Sequence, residues 1–379
     1  MLRALLNKFW DEDVWLPPNT TWEDITPGPD KAVVYADYRH LLYPIPLALV
    51  LIALRQVLEK YWFAPFGRSL GIKNTRPKKA PNNSKLELAY IDCPKIKHKQ
   101  LFLSKDEICA LAKQLDMSER QVERWWRLRR SQDKPSTLVK FCENMWRCTF
   151  YLYNFSYGMF ILWDKEWLWD IDQCYIGYPH QGLTPDIWWY YMISAAFYWS
   201  LTISQFWDVR RKDFWQMFVH HIATILLLSF SWVCNLHRIG TLVLLLHDCA
   251  DIFLEVSKKA AKAAKYANYQ KLCDAIFTVF TALWIMTRLG IYPFYIIWST
   301  SIRAPMLLPM FAAYYIFNSL LCLLLALHMV WTWLILQVAY KSINAGKMEG
   351  DIRSSSSEFS DSSHQSNHST PNRNSKKDT

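Results

Sequence analysis

Two adjacent histidines, His220 and His221, lie inside the apolar run FVHHIATILLLSF, which covers residues 218–230. Ionisable side chains are costly in an apolar segment of membrane-spanning length, and they usually face the protein interior and take part in function. Thr224 lies four residues after His220, so these two share one face of a helix. The histidine pair is therefore the first candidate for chemistry in this chain.

A second set of ionisable residues lies in the next apolar run, within LHDCADIFLE. His247 and Asp251 are four residues apart, and Asp248, Asp251 and Glu255 follow the pattern i, i+3, i+7. This spacing places the three carboxylates on one stripe of a helix with an imidazole beside them. Because a nearby carboxylate can fix the tautomer of an imidazole and stabilise its charged form, the set predicts acid–base or nucleophilic chemistry.

Three interpretations of these polar residues stay open. Helix–helix hydrogen bonds are the plainest, and they account well for single residues such as Asn318 and His328 in the last apolar run. A metal site from His220, His221 and Asp251 has suitable ligand types but no defining spacing, and we predict none. Acyl transfer to an amine fits best, because it needs a base for the amine proton or an imidazole that accepts the acyl group first. Inside a membrane the substrates of such a reaction are lipids.

The elements that must position these residues are apolar runs of about twenty residues, the length that crosses a hydrocarbon core. The chain has 379 residues, of which 52% are hydrophobic, and a formal net charge of +10. Polar linkers separate the runs, so we predict an all-α fold, a polytopic bundle of about seven transmembrane helices. The predicted spans are residues 41–63, 141–163, 186–206, 214–234, 239–257, 272–297 and 306–340.

Lysine and arginine in the loops predict the orientation of the bundle, because cytoplasmic loops are the more basic ones. Basic residues follow the third and fifth spans: Arg210, Arg211, Lys212, Lys258 and Lys259. The N-terminal segment 1–40 is then lumenal and the C-terminus cytosolic. Asn19, in an NTT sequon on the predicted lumenal side, is a candidate glycosylation site. Asn154 also stands in a sequon, but within a predicted span, and we attribute that match to chance.

A basic segment, residues 64–139, follows the first span and is predicted to be cytosolic. Residues 104–131 have a helix-turn-helix pattern, with a turn at Met117-Ser118-Glu119. The stretch QVERWWRLRR resembles the recognition helix of a homeodomain. Leu128 stands where a homeodomain carries its adenine-reading asparagine, and the first homeodomain helix has no clear counterpart, so specific DNA binding is not expected.

The chain ends in a Ser-rich segment, residues 342–379, which we predict to be a disordered cytosolic tail. Ser355 stands three residues before an acidic residue and is a candidate phosphorylation site. The nine cysteines form no CxxC pair, so neither a zinc site nor a disulfide scaffold is predicted.

The stretch RRKDFWQMFVHHIATILLLSF, followed by GTLVLLLHDCADIFLEVSKKAAKAA, closely resembles the longevity-assurance motif of ceramide synthases. TRLGIYPFY, the homeodomain-like insert and PPNTTWED are similar to the same family, in its animal, homeodomain-containing branch. The resemblance covers roughly residues 1–345 and implies an endoplasmic-reticulum enzyme with a TLC domain, here residues 140–341. It implies transfer of a fatty acyl group from acyl-CoA to the amine of sphinganine or sphingosine, with no further cofactor.

The resemblance also implies roles for individual residues: His220 and His221 are catalytic, together with Asp248 and Asp251. Our hypothesis is that His220 takes up the acyl group as an acyl-imidazole, Asp251 orients and charge-balances it, and His221 or His247 acts as base. Direct transfer with a histidine as base alone is the alternative. Further candidate substrate-binding residues are Arg210, Arg211, Lys212, Lys258, Lys259, Thr224, Arg288 and Asn318. The basic residues near the cytosolic loops would receive the anionic CoA head.

In the family that the chain resembles, acyl-chain length is governed partly by the lumenal loop between the last two spans. That loop is predicted to consist of Trp298, Ser299, Thr300, Ser301, Ile302, Arg303, Ala304, Pro305, Met306, Leu307 and Leu308. The expected partners are fatty acyl-CoA, a sphingoid base and the lipid bilayer, and a homodimer or heterodimer stays open. The competing functions are a non-enzymatic TLC-type lipid sensor and a membrane-tethered transcriptional regulator. The carboxylate stripe argues against the first and Leu128 against the second.

Overall fold

The computed structural model describes residues 8–28, 31, 33–72, 79–92, 105–132, 136–209, 213–264 and 270–345, and these residues form helices and no strand. The main helices are α1 (Pro44–Leu58, continued through Glu59–Phe63 and Ala64–Ser69), α2 (Ser84–Asp92), α3 (Lys105–Leu115), α4 (Glu119–Gln132), α5 (Thr137–Leu162), α6 (Pro185–Ser204), α7 (Phe214–Val233), α8 (His237–Ala264), α9 (Gln270–Trp284, continued through Ile285–Ile297, Ser299–Arg303 and Ala304–Leu307) and α10 (Ala313–Ala345). The predicted all-α fold is confirmed.

Four helical segments among the described residues are long and apolar enough to cross a membrane, by length and composition. They are Tyr38–Ser69, Phe214–Val233, Asp274–Leu307 and Ala313–Tyr340. Large apolar side chains such as Leu49, Phe294 and Trp333 are exposed on them, an arrangement suited to contact with lipid. The chain is therefore a multi-pass helical membrane protein. The other three predicted spans coincide with α5, α6 and α8, which are more polar, so the seven-span count stays a prediction.

Helix α9 differs most from its predicted boundaries, because residues 298–308 were predicted to be a loop. The helix instead continues to Leu307, and the connection to α10 runs from Leu308 to Ala312. Residues 298–304 contain neither Gly nor Pro. Pro305 stands in the first turn of the segment Ala304–Leu307, where a proline is well tolerated. The loop prediction was wrong, and these residues extend a helix.

The main core of the bundle lies between α5, α6, α7, α8, α9 and α10. Helices α6 and α8 approach closely where Gly240 faces Tyr191: a Cβ at Gly240 would lie 1.6 Å from the tyrosine hydroxyl oxygen. That hydroxyl lies 3.0 Å from Ser231 Oγ on α7, so it links the three helices. Only glycine leaves room for this contact.

Helix α1 is fastened to the rest of the bundle by a buried arginine. Arg55 donates to both carboxylate oxygens of Asp208, at 2.8 Å each, and Asp208 lies just after the end of α6. Arg55 also donates to Glu59 at 2.8 Å. Bidentate charge-assisted bonds of this kind fix orientation as well as adding stability.

Helices α2, α3 and α4 form a small three-helix unit within the basic segment. Its core contains Leu86 and Tyr90 from α2, together with Val122, Trp125 and Trp126 from α4. The predicted turn before α4 is confirmed, because Ser118 Oγ accepts the backbone N–H of Gln121 at 3.3 Å while Gln121 Oε1 accepts the backbone N–H of Ser118 at 2.9 Å. Helix α2 was not predicted from the sequence, and the missing counterpart of the first homeodomain helix stays a prediction. Helix α2 is short, and only its two core residues signal it in the sequence.

Candidate active site

Two cavities follow one another along α7. The polar cavity is lined by His220 and His221, by Asp251 and Glu255 of α8, and by Arg288, among others. The apolar cavity begins at Thr224, one turn further along α7, and is lined largely by aliphatic and aromatic side chains. Tyr198 of α6 lines both. A polar cavity therefore adjoins an apolar one, and Tyr198 belongs to the walls of both.

His221 is held in one orientation by Gln205. His221 Nδ1 lies 3.1 Å from Gln205 Oε1, and Gln205 Nε2 donates to the backbone carbonyl of Phe214 at 2.7 Å. Helix α6 ends at Ser204 and α7 begins at Phe214, so one side chain spans the turn between them. Gln205 was not predicted, because nothing in the sequence relates it to the histidine 16 positions later.

His220 has a different environment from its neighbour. Its Nδ1 is buried with no hydrogen-bond partner, and its ring packs edge-on against Trp331, with ring centres 5.4 Å apart. The ring of His328 is 6.4 Å away, and the ring of Tyr198 is 6.3 Å away. His328, which we predicted to make only helix–helix contacts, thus lines the polar cavity. A histidine in an apolar run was the signal available for it.

His247 lies where the two cavities come together. Its Nδ1 is 2.7 Å from the carbonyl oxygen of Val243, one turn earlier in α8, so Nδ1 carries the proton and donates. Its Nε2 is buried with no hydrogen-bond partner. The ring centres of His247 and His328 are 5.1 Å apart, although His247 lines the apolar cavity and His328 the polar one.

The two central carboxylates have separate partners. Asp248 Oδ2 accepts a 2.6 Å hydrogen bond from Asn154 Nδ2 of α5, and Asn154 also donates to Ser194 at 3.1 Å. Asp251 pairs with Arg288 at 3.2 Å. Arg288 also donates to the carbonyl oxygen of His247 at 2.7 Å. Asp251 and Glu255 of the predicted stripe line the polar cavity, whereas Asp248 lines neither cavity and contacts α5.

Two residues weighed in the sequence have informative contacts. Asp251, which was predicted to orient His220, forms an ion pair with Arg288, and its orienting role stays a prediction. Asn154 was set aside as a chance sequon within a span. It is buried at 2% exposure, which excludes it as a glycosylation acceptor in this fold, and it is the donor to Asp248. Thr224 shares a face with His220 as predicted, and its hydroxyl donates to the His220 carbonyl at 2.9 Å.

Gln205, Asp208, Val209 and Asp213, from the connection between α6 and α7, line the polar cavity. Arg147 of α5 lines it and pairs with Asp208 at 3.4 Å, a cation that was not predicted from the sequence. The predicted CoA-binding residues Arg210, Arg211 and Lys212 lie outside the described residues. Lys258 and Lys259 lie on α8, and their side chains also fall outside the described part of the chain.

The extended end of α9 forms one wall of the apolar cavity. Thr300, Ala304, Pro305 and Leu308 line it. Asn318 of α10 holds this wall, because its Oδ1 accepts hydrogen bonds from Thr300 at 2.8 Å and from Ser301 at 3.0 Å. Asn318 is therefore a packing residue as well as a lining one.

The remaining residues of the predicted loop face elsewhere. Ser299 donates to the Tyr175 hydroxyl at 3.1 Å. Arg303 forms an ion pair with Asp172 in the connection between α5 and α6, and its guanidinium holds the pKa of that carboxyl below its usual range. Trp298, Ile302, Met306 and Leu307 are exposed. Only one face of the segment thus reaches the cavity.

Other predicted sites have simpler outcomes. Asn19 is exposed in the N-terminal segment, in a left-handed conformation at φ 63°. Ser355 and the tail lie outside the described residues. No group of three or more His, Cys, Asp or Glu with metal-holding geometry occurs in the part of the chain that the structure describes. Glycosylation at Asn19 and phosphorylation at Ser355 stay predictions.

Comparison with known proteins places this arrangement in a family. Residues 140–337 match the TLC domain. Human ceramide synthase 5 is 44% identical over 95% of this chain and 90% of the relative. The chain belongs to the ceramide synthase family. Human ceramide synthase 4 is 40% identical over 96% of the chain and 89% of its own length, and ceramide synthase hyl-1 of Caenorhabditis elegans is 33% identical over 93% and 84%. The resemblance identified from the sequence is confirmed.

Proposed function

We propose that this chain is a sphingoid-base N-acyltransferase, which makes dihydroceramide or ceramide from a fatty acyl-CoA and sphinganine or sphingosine. One observation carries the proposal: the polar chamber with His220 and His221 opens beside an apolar cavity, and Tyr198 lines both. A reaction centre for an amine and a thioester needs the first, and an acyl chain needs the second. The relatives named ceramide synthase support the same conclusion.

The membrane setting follows from this proposal and the basic loops. The enzyme is a multi-pass protein of the endoplasmic-reticulum membrane, with a lumenal N-terminus and a cytosolic C-terminus. Acyl-CoA then approaches the polar cavity from the cytosolic side, and Arg147 supplies a cation in the lining of that cavity. Residues 210–212 and the two lysines at positions 258 and 259 add positive charge on that side and attract the CoA phosphates.

In the first half-reaction the imidazole of His220 attacks the thioester carbonyl. The new N–C bond forms as the C–S bond breaks, and the CoA thiolate takes up the proton released by the imidazole. His220 suits this role because no hydrogen bond fixes its Nδ1 and its ring faces the cavity beside Trp331. The acyl chain then lies along α7 in the apolar cavity.

In the second half-reaction the neutral amine of the sphingoid base attacks the acyl carbonyl. The amide bond forms, the bond to His220 breaks, and His221 passes the amine proton to the departing imidazole. Asp251 and Glu255 line the chamber and present carboxylates toward the ammonium form of the substrate, while Asp248, held by Asn154, joins α8 to α5. Direct attack of the amine on the thioester, with His221 as base, is the competing route.

Intact-mass spectrometry distinguishes the two routes. Purified protein in detergent is incubated with a long-chain acyl-CoA and no sphingoid base, beside a His220→Ala variant. The matched control is His237→Gln, because His237 is a buried histidine whose Nδ1 contacts Asn235 and which lines neither cavity. We expect a gain of one acyl group in the wild type and the control, absent in His220→Ala and removed by sphinganine.

The other outcomes are equally decisive. Ceramide formation without any adduct would exclude the covalent step and leave direct transfer. Failure of the wild type to form ceramide with any acyl-CoA length would overturn the enzyme assignment and favour a lipid sensor.

A further inference from the structure

Gln205 is a neutral side chain that contacts two residues of α7: His221 and Phe214, the first residue of that helix. Its Nε2 donates to the Phe214 carbonyl at 2.7 Å, and its Oε1 lies 3.1 Å from His221 Nδ1. His221 is 5% exposed, so this bond lies in a protected environment. A side chain in that position can set which ring nitrogen carries the proton.

The orientation of the Gln205 amide follows from its neighbours. A carbonyl oxygen such as that of Phe214 can only accept a hydrogen bond, so the NH₂ group of the glutamine must face it. The opposite orientation would place two acceptor oxygens together. Gln205 therefore presents its own oxygen to the histidine, and that oxygen can only accept. Nδ1 of His221 must carry the proton, which puts the lone pair of the neutral ring on Nε2.

We propose that Gln205 is a positioning residue that fixes the reactive tautomer and ring orientation of His221. This inference rests on the proposed function, in which His221 takes the proton of the amine. A base in the wrong tautomer has no lone pair where the amine proton is released, and it loses most of its catalytic effect. Gln205 also ties this orientation to the turn between α6 and α7, because its second bond is to the first residue of α7.

A neutral acceptor differs from the carboxylate that orients many catalytic histidines. It selects the same tautomer but does not stabilise the protonated ring by opposite charge, so the proton is passed on more readily. The other titratable groups that line the cavity come from several helices, with Asp208 and Asp213 from the turn: Arg147, Tyr151, Tyr198, His220, Asp251, Glu255, Arg288 and His328. These groups are the same in every variant compared below, so a change in pH profile reports on position 205.

The test measures kcat, KM and the pH profile of kcat in detergent, with saturating acyl-CoA and sphinganine. Gln205→Met removes both hydrogen bonds at similar size, and Gln205→Glu keeps an acceptor but adds charge. The control is Gln181→Met, because Gln181 is also buried and donates to two backbone carbonyls, at 2.9 and 3.0 Å, but contacts no histidine.

We expect Gln205→Met to lower kcat about tenfold to hundredfold with KM within about twofold, since part of the general-base contribution is lost. Gln205→Glu should stabilise the protonated imidazole, so the acidic limb of the profile should move up by about one pH unit. Gln181→Met should leave the profile in place even where it lowers the thermal midpoint.

Three results would contradict the inference, and they differ in whether the proposed function also fails. Wild-type kcat and an unmoved profile in both position-205 variants would overturn the inference while leaving the proposed function intact. If Gln205→Met does not fold, the profile of Gln205→Glu alone decides, and an unmoved limb overturns the inference. A wild type that forms no ceramide overturns the proposed function and this inference with it.

Discussion

At the scale of single residues, neighbouring side chains give chemically identical groups different environments. His221 contacts Gln205, whereas the Nδ1 of His220 is buried with no hydrogen-bond partner. Asp248 is bound by a neutral amide and Asp251 by a guanidinium. The two histidines and the two aspartates thus lie in four different environments.

Asn154 provides the first test at this scale. Asn154→Leu removes the 2.6 Å donor to Asp248 and leaves a buried acceptor unsatisfied, at a cost of about 1–3 kcal/mol. We expect a lower thermal midpoint and a loss of ceramide formation of more than about tenfold. Ser194→Ala is the matched control, because it removes the two contacts between Ser194 and the Asn154 amide, at 3.1 and 3.3 Å, and leaves the donor to Asp248 in place. Equal effects of the two variants would contradict a specific role for the bond to Asp248.

The sequence predicted the ionisable residues that stand in apolar runs. It missed residues that matter only through a contact with a distant part of the chain. His220, His221, Asp248 and Asp251 stand out because ionisable groups rarely occur in apolar runs. The bond from Asn154 to Asp248 joins positions 94 apart, so only the packing of α5 on α8 reveals it. Neither the hydrophobic periodicity nor the composition of the sequence can predict such a pair.

At the scale of helices, the end of α9 forms one wall of the apolar cavity. Thr300 and Ala304 lie four residues apart on its inner face, and Leu308 continues the wall just after the helix ends. Helix α9 continues through residues 298–304 because they contain no residue that breaks a helix, neither Gly nor Pro. This region was predicted to be a loop by analogy with the family that the sequence resembles, although the local sequence contains no helix-ending residue. The short α2 was missed because its nine residues are too few to give a clear helical period.

Ala304 tests the cavity wall. Ala304→Phe places a large ring in the apolar cavity, while Ile302→Phe adds bulk at a position that is 45% exposed. We expect the first variant to favour shorter acyl chains, with kcat/KM for the longest chains falling about tenfold or more relative to shorter ones. Competition among saturated acyl-CoAs of increasing length, read by mass spectrometry of the ceramides, measures the shift. Indistinguishable product distributions for the two variants would rule out this wall as a determinant.

At the scale of the whole molecule, α1 belongs structurally to the bundle although it precedes the TLC domain match at residues 140–337. The bidentate contact of Arg55 with Asp208 reaches the turn that also contains Gln205 and borders the polar cavity. The positive charge of α1 is thus part of the environment of that turn. Apolar length alone predicted α1 as a separate span, and its attachment came only from the tertiary structure.

Arg55 tests this attachment. Arg55→Met leaves Asp208 and Glu59 without their shared cation in a buried setting, where breaking a pair costs about 3–5 kcal/mol. We expect a clearly lower thermal midpoint and reduced ceramide formation. Lys60→Met, an exposed lysine on the same continuous helix, is the control. Intrinsic fluorescence during heating in detergent measures both, and equal midpoints would contradict the structural role of Arg55.

The three-helix unit has a short tether on one side. Helix α4 ends at Gln132 and α5 begins at Thr137, so five Cα-to-Cα steps join them. A fully extended chain covers at most about 3.6 Å per residue, so the last residue of α4 stays within roughly 18 Å of Thr137, the first residue of α5. Its other link, from Ser69 to Ser84, is longer and cannot relax that limit. The unit therefore stays near the membrane surface, and any ligand that it binds must come to that surface.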